Sequence, residues 1–187
     1  MMSRFAVRDT PLADLKVVER QQLSDARGFL SRLFCAEELA AAGWRKPVAQ
    51  INQTATRRRG AIRGMHYQRP PHAEMKLVAC LQGAVWDVAV DLRKGSPTFL
   101  QWHAEELSAA NRRALLIPEG FAHGFQTLAE DCELLYLHSV AYAPEAEAGL
   151  NPRDPVLAIA WPLDIAELSA RDSQHPMLSP QFAGVTV

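Results

Sequence analysis

The sequence predicts an all-β protein of one domain, a sandwich or barrel, on three observations. Short runs of alternating apolar residues recur along the chain. Turn residues separate them about every ten residues, the spacing of a sandwich or barrel. The 187 residues suffice for one well-filled core and are too few for two comfortable domains, so residues 1–187 form a single unit.

Taken in order, Leu15 to Arg20 reads as a short strand, Asp25-Ala-Arg-Gly28 as a turn and Phe29 to Phe34 as a second strand. Cys35 to Ala42 carries strong helix formers stopped by Gly43, which predicts a short helix. Alternation returns from Pro47 to Thr56 and sets Gln50 and Asn52 on one face, before the solvated basic turn Arg57-Arg-Arg-Gly60.

The chain is organised around Gly60 to Gln68 and the strand pair that follows. Lys76 to Leu81 alternates, breaks at Gln82-Gly83 and resumes from Val85 to Asp91. A period of two places Trp86, Val88 and Val90 on one face and Asp87, Ala89 and Asp91 on the other. Apolar flanks argue that Asp87 faces a polar cavity rather than solvent. Arg63, His66 and Lys76 fall in the same span, so a base, two cations and a carboxylate converge near one sheet. Singly, each would read as ordinary solvated charge. Their clustering carries the inference.

Beyond it come a turn at Gly95-Ser-Pro97, a strand from Phe99 to Leu107, a turn at Ser108 to Arg112 and a strand from Ala114 to Ile117. Pro118 to Gly124 reads as a tight loop carrying His123 into Phe125 to Leu128. In the strand Cys132 to Ser139, Tyr136 shares a face with Leu134 and His138, and a buried tyrosine hydroxyl there needs a partner. Prolines after Tyr142 rule out long elements; Ile165 to Asp172 reads as one or two helical turns and the tail after Pro176 as loop.

With 20 Lys and Arg against 21 Asp and Glu, no global field recruits nucleic acid or an anionic membrane. The stretch Met1 to Asp9 lacks the apolar core of a signal peptide, and no segment has the length of a membrane span. A soluble cytoplasmic protein is expected. Cys35, Cys80 and Cys132 have no C-x-x-C spacing, so neither a disulfide framework nor a catalytic thiol is expected.

The motifs Asp25-Ala-Arg-Gly-Phe, Ile62-Arg-Gly-Met-His-Tyr-Gln, Lys76-Leu-Val, Trp86-Asp-Val-Ala-Val-Asp-Leu-Arg, Gly95-Ser-Pro-Thr-Phe, Ile117-Pro-Glu-Gly-Phe-Ala-His-Gly-Phe, Trp161-Pro and Leu168-Ser-Ala-Arg-Asp172 occur in this order. Together they resemble the dTDP-4-dehydrorhamnose 3,5-epimerases, bacterial enzymes of nucleotide-sugar synthesis, over nearly the whole chain. The resemblance implies a cupin-type jelly roll, a nucleotide-diphosphate keto-sugar substrate, a homodimer and no metal or other cofactor. His66 matches the family's base, Asp172 its carboxylate partner, Tyr136 its acid and Lys76 the cation that meets the enolate oxygen. Arg27, Gln50, Asn52, Arg63, His123, Tyr142 and Arg171 match positions that bind substrate; for His123, a loop histidine tying down Pro118-Glu-Gly120 is the competing reading.

The chain departs from the family's usual pattern at Arg32, where a carboxylate is common, and at Leu137, where a lysine is common. The loop before Arg63 is also about one residue longer. Three other functions compete. An epimerase inverting one carbon, on a dTDP-, CDP- or GDP-linked sugar, is the nearest. A metal-dependent cupin enzyme would use Pro118-Glu-Gly-Phe-Ala-His123, but its first half, a His-x-His, is missing. A non-catalytic sugar-binding module would not need the acid and base positions.

Overall fold

A computed structural model describes residues 3–187 of the chain; Met1 and Met2 of the N-terminal stretch lie outside the described residues. In chain order the strands are β1 (Phe5–Asp9), β2 (Lys16–Arg20), β3 (Gln22–Asp25), β4 (Gly28–Ser31), β5 (Gln50–Thr56), β6 (Ala61–Gln68), β7 (Lys76–Gln82), β8 (Ala84–Asp91), β9 (Trp102–Ser108), β10 (Arg113–Ile117), β11 (Phe121–Thr127), β12 (Cys132–His138), β13 (Glu147–Gly149) and β14 (Glu167–Leu168). Two short helices, α1 (Ala36–Ala40) and α2 (Ala170–Ser173), complete the elements with a 3-10 turn at Pro144–Ala146.

The strands form a jelly roll of two six-stranded sheets. One has the order β1-β2-β10-β7-β12-β5, the other β13-β6-β11-β8-β9 with β14 added beside β6. Every pairing between named strands is antiparallel except the short contact of β14 with β6. A separate hairpin, β3 with β4, stands off the body with Phe29 and Leu30 each 70% exposed.

The central strands of both sheets are covered on both faces, while the edge strands β1 and β5 stay largely exposed. Between the sheets, Val78, Leu115, Ile117 and Leu134 meet Val85, Ala89, Leu107 and Phe125. Burying each of the larger side chains contributes about 1.5–3 kcal/mol relative to exposure. Leu39 of α1 and Trp44 pack on the outer face of the first sheet, over Leu77, Leu116 and Leu137. The proline-rich C-terminal segment does the same for the second, laying Leu150, Leu157, Trp161, Leu178 and Phe182 over Met65, Val88 and Val90. Prolines exclude a long element there and leave an irregular strap free to follow the sheet.

Several sequence expectations shift. The strand expected from Phe99 begins at Trp102, because Phe99 to Gln101 is taken up in turns around Asp91. Asp91 shares a face with Asp87 as the alternation requires, but Arg93, Ser96 and Thr98 bind its carboxylate. The loop expected from Pro118 to Gly124 ends at Gly120, so His123 lies in β11 rather than in a loop. Between Ile165 and Asp172 the chain first pairs with β6 and becomes helical only at Ala170. The strands β1 and β3 had no sequence signal strong enough to name them. Cys80 and Cys132 are buried and unpaired, and burial pushes the Cys80 thiol up to about 12, which suits an inert core residue. Among the described residues no helix is long and apolar enough to cross a membrane.

Candidate active site

The apolar filling between the sheets stops short of one end, and there the fold opens into a cavity of about 560 Å³. That volume suits a small ligand. β5, β7 and β12 supply one wall and β6 and β11 the other, with the C-terminal strap closing the side through Ser169, Arg171 and Asp172.

His66 reaches this cavity from β6, where it lies opposite His123 on β11. The two strands come unusually close just before it. A Cβ on Gly64 would lie 2.6 Å from the Gly124 Cα, and Gly64 has φ +144°, so glycine is required there. His66 Nε2 donates to Asp172 Oδ1 at 2.8 Å, which leaves Nδ1 as the basic nitrogen of the neutral ring. Asp172 is fixed in turn. Its backbone N–H donates to the Ser169 hydroxyl that caps α2, and its second oxygen accepts from Gly64 N–H. Burial alone would raise the Asp172 carboxyl; the His66 hydrogen bond and charge, the Gly64 amide and Arg171 outweigh it and hold it down at about 2.

Arg171 stands 3.2 Å from the same His66 nitrogen and is anchored by Glu147 at 2.9 Å. His175 packs edge-on to His66, ring centroids 5.6 Å apart, beneath Gly149 of β13, where a Cβ would collide with its ring. His66, Asp172 and His175 offer ligand atoms within 4.8 Å of one another, a donor set that could in principle hold a metal ion. The Arg171 guanidinium opposes a divalent cation at that point.

The opposite wall carries Tyr136 on β12 and Lys76 at the start of β7. Burial pushes the Tyr136 phenol well above its usual value, and the Asp87 charge adds to the effect, so at neutral pH it is a proton donor. Lys76 is buried, with Nζ 3.1 Å from Glu74 Oε1 and 3.5 Å from the His66 carbonyl oxygen. Glu74 also accepts from His138 Nδ1 at 2.7 Å. Burial opposes its ionisation, but those two partners hold the carboxyl below its usual value.

Of the expected binding residues, Asn52, Arg63, His123, Tyr142 and Arg171 line the cavity. Arg63 is aimed by a hydrogen bond from Nε to Thr56 Oγ1, and Tyr142 by one from its hydroxyl to Glu147. Gln50 does not line it; it stands behind the rim, donating to Asn52 and accepting from the Tyr142 N–H. Arg27 is not brought to the site of its own chain. It sits on the β3–β4 hairpin, 89% exposed and paired with Asp25. Asp87, expected to face the cavity, is instead sealed beneath it, with both oxygens 2.9 Å from His123 Nε2. Burial raises the Asp87 carboxyl despite that imidazole.

Glu74, His138, Glu147 and His175 escaped the sequence reading as site residues. For the first two a signal existed. Period two carries His138 onto the Tyr136 face and Glu74 onto the Lys76 side. Glu147 opens the three-residue strand β13, too short to show a period, and His175 lies in irregular chain, where no period places a side chain.

The family model described as dTDP-4-dehydrorhamnose 3,5-epimerase matches residues 9–180. The Salmonella typhimurium protein of that name is 41% identical over 170 residues, covering 90% of this chain and 93% of its own. A dTDP-4-dehydro-6-deoxyglucose 3-epimerase from Streptomyces bikiniensis is 43% identical over 158 residues, 83% of this chain and 80% of its own. Among solved structures, the Bacillus anthracis dTDP-4-dehydrorhamnose 3,5-epimerase, with TDP and PPi bound, superposes with a TM-score of 0.90 at 40% identity, covering 93% of this chain and 99% of that one. With a matching profile over almost its full length, close relatives and a common jelly roll, this chain belongs to the dTDP-4-dehydrorhamnose 3,5-epimerase family of isomerases.

Proposed function

We propose that this protein inverts C3 and C5 of a dTDP-linked 4-keto-6-deoxyhexose, with His66 as base and Tyr136 as acid. The observation that carries the reading is their placement: the two side chains enter one cavity from opposite sheets, with Lys76 on the same cavity wall as Tyr136. The C4 ketone acidifies the protons at C3 and C5. His66 removes one, the electron pair moves onto O4, and the Lys76 ammonium meets the developing oxyanion. Tyr136 then protonates the carbon from the other face, and solvent restores the imidazole and the phenol. Asp172 orients His66 and stabilises its imidazolium without itself titrating. Arg63 and Arg171 are suited to the diphosphate by charge-assisted hydrogen bonds. Asn52, His123 and Tyr142 shape the rest of the site, with Gln50 holding Asn52 and Tyr142 from behind the rim. Incubation with dTDP-, CDP- and GDP-linked 4-keto-6-deoxyhexoses tests the assignment; turnover confined to a CDP or GDP sugar would overturn it.

Inversion at C3 alone is the second reading. It is favoured by the Streptomyces 3-epimerase, which is as similar to this chain as the 3,5-epimerases are.

None of these steps needs a metal or organic cofactor, so activity is expected to survive exhaustive chelation; loss on chelation, restored by a divalent ion, would refute this. Asp172→Asn should turn over at a rate between wild type and the His66 variants. Because the folded Asp172 carboxyl lies near 2, below its ordinary 3.8, its stabilising contribution is present above the ordinary value and fades as pH falls through the folded one. Acid titration of unfolding should therefore show a weaker pH dependence in Asp172→Asn over that interval than in wild type.

The homodimer belongs to the same proposal, and the cytoplasmic location goes with its nucleotide-sugar substrate. Phe29 and Leu30 on the hairpin and Ile51 on the edge strand β5 are exposed apolar groups, which a partner would cover. Arg27 would then reach the partner's cavity. Sedimentation at micromolar concentration should give a dimer, and a monomer there would contradict the arrangement.

A further inference from the structure

We propose that Glu74 is a positioning residue, whose largely enclosed carboxylate ties Lys76 and, through His138, Tyr136 into one unit. The inference rests on the roles assigned above to Lys76 and Tyr136. Its own ground is how the two carboxylate oxygens are divided. Oε1 lies 3.1 Å from Lys76 Nζ, and Oε2 accepts from His138 Nδ1 at 2.7 Å. The Glu74 side chain is only 9% exposed, so neither tie is weakened by free access of water.

Each tie fixes something that would otherwise move. A lysine ammonium is a point charge on a flexible stem, and among the described residues the other anchor of Lys76 is the His66 carbonyl oxygen at 3.5 Å. Glu74 is therefore what holds the cation at one place in the cavity. The His138 ring, locked by its Nδ1, lies 6.0 Å from the Tyr136 ring and within 12° of parallel to it. On its other side Tyr136 meets His123 edge-on at 5.9 Å, and Asp87 clamps that imidazole. The phenol is thus flanked by two imidazoles, each held by a carboxylate, buried in Asp87 and largely enclosed in Glu74. Of these carboxylates only Glu74 also holds the lysine. Displacing catalytic groups by about 1 Å can cost on the order of 10²-fold in rate, so a shared anchor for cation and acid has catalytic consequence.

Glu74→Gln is the informative substitution, since it keeps size and shape. If its amide oxygen stays on His138, the NH2 faces the Lys76 ammonium, donor against donor; if the amide flips, the oxygen meets Lys76 and His138 keeps a bond only by moving its proton to Nε2, beside the Asn52 amide. Either way the charge that holds Lys76 is gone. We expect kcat to fall about tenfold or more with KM changed less than about threefold and the melting temperature near wild type. A purely structural ion pair would lower the melting temperature and leave kcat of the folded enzyme intact. His138→Phe keeps a flat ring beside Tyr136 but cannot bond Glu74. It should slow inversion more than solvent deuterium exchange, because Lys76 keeps its anchor.

Wild-type kcat in Glu74→Gln overturns the proposal. Should Glu74→Gln not fold, His138→Phe decides: equal loss, or no loss, of exchange and inversion overturns it. His66→Asn and Tyr136→Phe are assayed alongside. If they fail as assigned while Glu74→Gln is unimpaired, only this inference falls; if Tyr136→Phe inverts normally, the assignment of the acid falls instead.

Discussion

His66→Asn is expected to abolish both epimerisation and the incorporation of solvent deuterium, with losses on the order of 10²–10⁴-fold. The reason is positional. His66 is not the only imidazole near the cavity, but the others are occupied. His123 is buried and bound to both oxygens of Asp87. His138 donates from Nδ1 to Glu74 and stands on the opposite wall, beside Tyr136. His175 is packed beneath Gly149 on the far side of Asp172's partner ring. With asparagine in place of His66, the imidazole left on that wall is His123, which is buried and packed edge-on against Tyr136, so none stands open to a proton α to the ketone. The substitution also leaves Asp172 without its imidazole, so a melting curve should accompany the assay. Undiminished deuterium exchange in a folded His66→Asn protein would remove His66 from the role.

Tyr136→Phe should fail differently. The ring keeps its contacts with His123 and His138, so folding should be little disturbed. His66 and Lys76 remain, and the enolate can still form and take up deuterium on the face from which the proton left. Inversion needs a donor on the opposite face, and that donor is gone. Exchange with retained configuration, together with a loss of inversion on the order of 10²–10⁴-fold, is the expected signature; inversion of both carbons at the wild-type rate would contradict it.

How much of this was legible in the chain depended on whether a period governed the segment. The strands from Lys76 to Asp91 and from Cys132 to His138 alternate cleanly, and the faces deduced for Asp87, Asp91 and Tyr136 are those observed. The alternation could not say how deep a side chain goes. Asp87 has the expected face, yet His123 seals it beneath the cavity floor, a contact made between strands 36 residues apart. His123 itself was misplaced because Pro118 and Gly120 suggested a longer loop, whereas pairing with β6 and β8 extends the strand back to Phe121. Asp172 could be named from resemblance, but its contact with His66 spans 106 residues of chain and depends on the path of an irregular strap. No local rule supplies such a path. Arg27 shows the opposite limit, for a single chain holds it at the tip of an exposed hairpin, away from its own cavity.

The central claim is that one cavity moves protons at two carbons of one sugar. The most direct measurement is the wild-type reaction with dTDP-4-keto-6-deoxyglucose in heavy water, followed by NMR at C3 and C5. Deuterium at both carbons, with both configurations inverted, is the result expected. Deuterium and inversion at C3 alone would make this protein a single-carbon epimerase, and the absence of exchange at either carbon would contradict the account entirely.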